Sequence, residues 1–149
     1  MGEKKEKPNL FRAKFYLRSY CRIRDGIEEL RAKCQRLNDE LSCVDVGGMS
    51  YDGTHGGNGA LTSVEAQVSA RIEKREQINN LLHEIASLEL QRTVMNNALA
   101  KLSEDDRKIL LTHYTDGLPW YDVAEIYGYS YDRIRHKGMD ALRRFASYL

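Results

Sequence analysis

The sequence predicts an all-α chain: a long antiparallel helical hairpin, a coiled coil, followed by a unit of three shorter helices. Three observations carry this expectation. Apolar residues recur at steps of three and four over two long stretches, the period of a helix that buries one stripe. A run with six glycines, "VGGMSYDGTHGGNGA", separates the two stretches and marks a connection rather than a continuous rod. After the second stretch, serines and glycines fall where short helices begin and end,.

The expected order is a basic tail over 1–10, a first coiled-coil helix over 11–46, a Gly-rich flexible loop over 47–60, a second coiled-coil helix over 61–101 and the three-helix unit over 102–149. In the first helix the seam runs Tyr16, Tyr20, Ile23, Ile27, Leu30, Cys34, Leu37, Leu41, Val44. A helix of this size is about 50 Å long and must bury its stripe. Gly26 is its one weak residue, costing about 1 kcal/mol relative to alanine. The loop has neither a preceding strand nor the Gly-Lys-Ser/Thr that opens a phosphate-binding helix, so a mobile connection is expected. His55 within it matches no zinc spacing,. In the second helix Thr62 and Glu65 read as a capping box. The seam there is Ile78, Leu81, Ile85, Leu88, Met95, Leu99, Leu102, interrupted at Arg92, with Val64, Val68 and Ile72 extending the apolar face. Two such helices with a flexible link fold back on each other. Leu82, Leu90 and Val94 flank the seam and would be half covered by one partner helix, so a homo-oligomer, with a dimer favoured, is expected.

The C-terminal unit is "LSEDDRKILLTHYTDGLPWYDVAEIYGYSYDRIRHKGMDALRRFASYL". Ser103 caps its first helix, and Glu104, Asp105 and Asp106 suit the positive end. Ile109, Leu110 and Tyr114 form its inner face, and Asp116-Gly117 ends it. Pro119 fits the first turn of the second helix, whose inner face is Val123, Ala124, Tyr127 and Trp120. Gly128 ends that helix and Ser130 caps the third, with Ile134, Gly138, Ala141, Leu142 and Phe145 inward. A short helix, a glycine turn and a capped basic helix form the helix-turn-helix pattern. Asp132, His136, Met139 and Arg143 then point outward, flanked by Tyr131 and Arg135, where base edges of duplex DNA would be read. Arg133 and Lys137 lie at the sides, better placed for phosphates, and Arg135 suits either task. Gly138 either weakens the helix or permits a close approach.

Charge is compatible with this reading. The net charge is only +1, but residues 1–36 carry eleven Lys/Arg against five Asp/Glu, residues 37–70 carry five acids and no base, and residues 123–149 carry five bases against three acids. Positive charge gathers at the two ends of the chain, as on a nucleic-acid face balanced elsewhere. No apolar run approaches a membrane span, and the start "MGEKKEKPNL" lacks a signal-peptide core, so a cytoplasmic location is expected. Cys21, Cys34 and Cys43 are odd in number without CxxC spacing, which suggests neither a disulfide framework nor zinc. No nucleophile, base and orienting group share a recognisable spacing. The expectation is a protein that is not an enzyme and takes no cofactor, metal or small-molecule substrate.

The segment "LSEDDRKILLTHYTDGLPWYDVAEIYGYSYDRIRHKGMDALRRF" resembles the fourth conserved region of bacterial sigma factors, which reads the promoter −35 element; "DRIRHKGMDALRRF" is its closest part. The resemblance implies that Tyr131, Asp132 and His136 occupy base-contacting positions, with Arg133 and Arg135 aiding backbone contact. The whole chain is similar to small bacteriophage and prophage proteins of the ArpU and RinA kind, late-gene transcription regulators with an N-terminal helical hairpin, a Gly/Ser-rich break and a sigma-like C-terminus. "AKFYLRSYCRIRDGIEELRAKC" fits the N-terminal pattern. The resemblance implies a regulator that binds promoter-like duplex DNA in a bacterial host and docks onto RNA polymerase or oligomerises through its coiled coil. Residues 1–102 carry no counterpart of the sigma region that binds core polymerase and melts the promoter, so the chain is not a full sigma factor. Two alternatives join similar parts differently: a small terminase-like DNA-packaging subunit, and a coiled-coil adaptor that binds protein rather than DNA.

Overall fold

The computed structural model describes residues 7–47 and 59–149, with side chains for 7–43 and 63–149. The Gly-rich stretch with His55, and most of the basic tail, lie outside the described residues. All regular structure among them is helical: α1 (Leu10–Gly47), α2 (Gly59–Ala100), α3 (Glu104–Leu110), α4 (Trp120–Tyr127) and α5 (Tyr131–Tyr148). Among the described residues, no helix is long and apolar enough to cross a membrane. Two compact units result, one of Gly26–Leu88 and one of Met1–Asp25 with Glu89–Leu149.

Within the first unit, α1 and α2 pair antiparallel. Lys74 Nζ lies 3.3 Å from Glu40 Oε2, and Gly26 faces Leu88, so the paired residues climb one helix while descending the other. Ile27, Cys34, Ile78, Leu81 and Ile85 are buried between them, and Leu30, Leu37 and Leu41 are half-buried. Over the described residues of this unit both heptad seams therefore hold; the Val44 side chain lies outside them. The apolar extension at the start of α2 does not. Val64, Val68 and Ile72 are each at least half exposed, as is Leu82. Thr62 is not a cap either, because α2 begins at Gly59 and Thr62 lies in its first turn. Gly47, Gly59 and Ala60, expected in the loop, are helical.

In the other unit the start of α1 departs from the expected seam. Ala13 and Leu17 are fully buried, whereas Tyr16 and Tyr20 are half-buried. The Tyr20 hydroxyl donates to Asn96 Oδ1 at 3.2 Å. The reason is the surroundings: Leu17 is enclosed beside the C-terminal segment, its carbonyl accepting a 2.9 Å bond from Thr115 Oγ1. A residue facing such an interior must be apolar along its length, and a tyrosine keeps its polar tip at the edge instead. Asn9 caps α1, its Oδ1 accepting from the Arg12 amide at 3.0 Å.

Arg107 closes the far end of α2. Its Nε donates to the Leu99 carbonyl at 3.1 Å, which also accepts from the Leu102 amide, and its Nη2 to the carbonyl of Leu102 at 3.4 Å, adding donors at a helix end, where intrahelical ones run out. Ser103 caps α3 through the Asp106 amide. Past Leu110 the chain continues as a π turn, Leu111–Thr115, and Gly117, at φ +77°, then reverses its direction. Pro119 sits one position earlier than expected. It is the extended N-cap of α4, not its first helical residue, and its carbonyl accepts from Asp122 and Val123. Leu17, Met95, Leu110, Val123, Ile134, Leu142 and Phe145 are all fully buried in this unit.

Candidate nucleic-acid interface

The turn between α4 and α5 is set by two residues. Gly128 adopts φ +70°, a left-handed conformation that costs other residues about 1 kcal/mol or more. Its amide and that of Tyr129 bond back to the last carbonyls of α4, Tyr129 to Ala124 at 3.0 Å, which is the Schellman closure. Two residues later Ser130 starts α5, its hydroxyl accepting from the Arg133 amide at 3.3 Å. Below the turn, Ile109, Val123, Ala124 and Ile134 form one cluster, with Leu118, Trp120, Tyr127 and Tyr129 packed against it. The inward stripe of α5 is buried throughout, and Asp132, His136, Met139 and Arg143 are exposed, as the helical spacing predicts.

Gly138 allows a close approach. A Cβ built on it would lie 2.1 Å from Cη2 of Trp120, so the indole rests against the α5 backbone. His113 stacks on the same indole, centroids 3.8 Å apart and rings 18° from parallel. His113 Nδ1 is 2.7 Å from the Leu118 carbonyl. That carbonyl fixes Nδ1 as the donor in the neutral ring. Burial holds the His113 pKa below its ordinary value; the Leu118 carbonyl opposes this, and the positive charges of Arg18 and Lys14 add to the lowering.

The cations near α5 rest on aromatic rings. Tyr129 carries two of them, Arg133 at 5.0 Å and Lys137 at 4.6 Å from its centroid. Tyr131 stacks on Tyr121 at 4.2 Å, and Arg135 lies 5.5 Å from Tyr131. Such contacts are worth about 0.5–1 kcal/mol each at exposed sites, enough to bias a side chain without immobilising it. Arg143 pairs with Asp140 at 3.2 Å.

Of the sequence-predicted residues, Asp132, Arg135, His136 and Arg143 line one groove of about 530 Å³. Arg133, Lys137 and Tyr131 stand outside it. The groove has members that the sequence did not reveal: Lys14 and Arg18 from α1, His113 and Tyr114 within the π turn, and Trp120. Tyr129, which carries Arg133 and Lys137, and Tyr121, which stacks on Tyr131, also belong to this face; their positions beside the cap and at the α4 start are the available sequence signal. Among the described residues, no group of three or more His, Cys, Asp or Glu is placed to hold a metal ion. What the arrangement offers chemically is a positively charged, aromatic-backed face with hydrogen-bond donors in excess of acceptors. No model of a known family, no characterised protein and no solved structure matches the chain significantly.

Proposed function

We propose that this protein is a phage- or prophage-type transcriptional regulator that binds duplex DNA through α4 and α5 and acts in the cytoplasm of a bacterial host. The observation that carries the reading is the capped helix after a left-handed glycine turn, with its apolar stripe buried and its outward face left to Asp132, His136, Arg143 and the flanking Tyr131 and Arg135. A helix so presented suits the major groove, where Arg and His meet guanine acceptors. Arg133 and Lys137, held together on Tyr129, suit adjacent phosphates. The paired long helices serve oligomerisation or docking onto RNA polymerase. The exposed Val64, Val68, Ile72 and Leu82 of α2 support self-association, since apolar side chains grouped on one exposed helix are commonly covered by a partner.

The test is selection of bound fragments from host and phage genomes at physiological ionic strength, wild type beside Arg133→Ala/Arg135→Ala. One enriched site upstream of a late operon, lost in the variant, is expected. Enrichment at a packaging start, with a ring-sized mass, would assign the chain to DNA packaging instead. Absence of salt-sensitive DNA binding, with and without polymerase, would refute the reading.

A further inference from the structure

The outward face of α5 borders a groove whose opposite side is α1. Lys14 and Arg18 line the groove together with Asp132, Arg135, His136, Met139 and Arg143. At about 100° per residue, Arg133 and Lys137 fall on one flank of α5 and Arg135 on the other. The groove spans the outward face and extends onto the second flank, leaving Arg133 and Lys137 outside it. The α1 cations therefore stand across the reading face from the pair that Tyr129 supports.

Duplex geometry gives this placement a meaning. The major groove is about 12 Å wide and bordered by two phosphate strands. A helix lying in it meets one strand on each flank, and phosphate contacts on both sides set its register. On the second flank α5 itself offers only Arg135, against the pair Arg133 and Lys137 on the first. The fold supplies the others from a segment more than a hundred residues away. The groove's lining holds four Lys/Arg and two His against the single carboxylate of Asp132. Among the described residues no carboxylate pairs with Lys14 or Arg18; Arg18 rests 5.8 Å from the Tyr114 ring. Burial is the main cause of the lowered His113 pKa, and the charges of Arg18 and Lys14 add to it.

We infer that Lys14 and Arg18 form a second phosphate-binding element, gripping the DNA strand opposite the one that Arg133 and Lys137 meet. This rests on the duplex-binding reading above. Each phosphate contact contributes a slope of about −0.9 to the dependence of log affinity on log salt concentration. Removing two contacts lowers the slope by nearly 2 and the affinity at physiological salt by on the order of 30-fold, equally for all duplex sequences.

The experiment measures duplex affinity over a salt series, on an enriched site and on random duplex, for wild type, Lys14→Gln/Arg18→Gln, and a control, Lys33→Gln/Arg75→Gln, with equal charge removed from the other unit. Circular dichroism and Trp120 emission check that the fold is kept. The expected result is a lower slope and a uniform loss for the Lys14/Arg18 variant, beyond that of the control. Unchanged slope and affinity would overturn the inference and leave duplex binding standing, as would a loss equal to the control's. A loss confined to particular sequences would also overturn it, since bases rather than phosphates would then be contacted. Wild type without salt-dependent duplex binding would overturn both this inference and the reading beneath it.

Discussion

Replacing Gly138 by alanine tests the packing on which the α5 face depends. At an ordinary helix interior the change stabilises by about 1 kcal/mol, because glycine loses more backbone freedom on folding. Here the new Cβ would meet three atoms of the Trp120 ring, at 2.1, 2.7 and 3.0 Å. Ordinary carbon contacts lie near 3.5–4.0 Å, so the ring must retreat by about 1.4 Å or more. It is not free to do so, since it also stacks on His113 and packs against the cluster of Ile109, Val123, Ala124 and Ile134. Overpacking of this kind costs about 1–3 kcal/mol, more than the propensity gain. A contact as short as 2.1 Å puts the cost in the upper part of that range, so the expected net loss is about 1–2 kcal/mol, a fall in Tm of about 2–8 °C for a chain of this size. Thermal unfolding followed by circular dichroism measures it. Emission gives a local readout, because Trp120 is the only tryptophan in the sequence, and its spectrum should shift. In a Trp120→Leu background the same substitution should be neutral or stabilising, so the two changes should couple by more than 1 kcal/mol or so. An unchanged or higher Tm with an unaltered emission spectrum would refute the argument.

Gly26→Ala should have the opposite sign: its Cβ would meet Leu88 Cδ1 at 3.6 Å, an ordinary contact, so a gain of about 0.5–1 kcal/mol in denaturant unfolding is expected, and a loss would mean that this close pairing is wrong. Ser130→Ala removes the acceptor for the Arg133 amide and should cost about 1 kcal/mol, with amide exchange quickening first at the start of α5; uniform exchange rates there would argue against the cap. His113 has a folded pKa below 6.5, so the unfolded chain takes up a proton before the folded one does. Its stabilising effect is complete above pH 6.5 or so and is lost as pH falls toward the folded pKa. His113→Gln should therefore show a shallower fall in Tm between about pH 7.5 and 5.5, and an equally steep fall would exclude this histidine as a source.

What the sequence disclosed was local. Ser103, Gly128 and Ser130 were legible because a cap or a glycine closure is made within a few residues, by bonds such as Arg133 to Ser130 and Tyr129 to Ala124. The seams were legible from Ile23 and Ile78 onward, where two helices face each other and a strict period suffices. The same period misassigned Tyr16 and Tyr20, because the start of α1 serves the C-terminal helices, which the heptad phase does not encode. Val64, Val68 and Ile72 kept the apolar character of the stripe while lying exposed; residue type alone does not say what covers a face. Half of the candidate site was hidden for a related reason. Asp132, Arg135, His136 and Arg143 share one helix, whereas Lys14, Arg18 and His113 join them only through tertiary packing. The groove is a property of the fold, and no motif spans it.

The perch of Arg133 and Lys137 on Tyr129 has an entropic consequence. A free lysine or arginine gives up as much as about 2 kcal/mol of rotamer freedom when it is fixed on a partner. Two such side chains lying against one ring, at 5.0 and 4.6 Å, have already surrendered part of that freedom before any anion arrives. Whatever they hold, they hold with less left to lose, and Tyr129 acts on recognition without touching what is recognised.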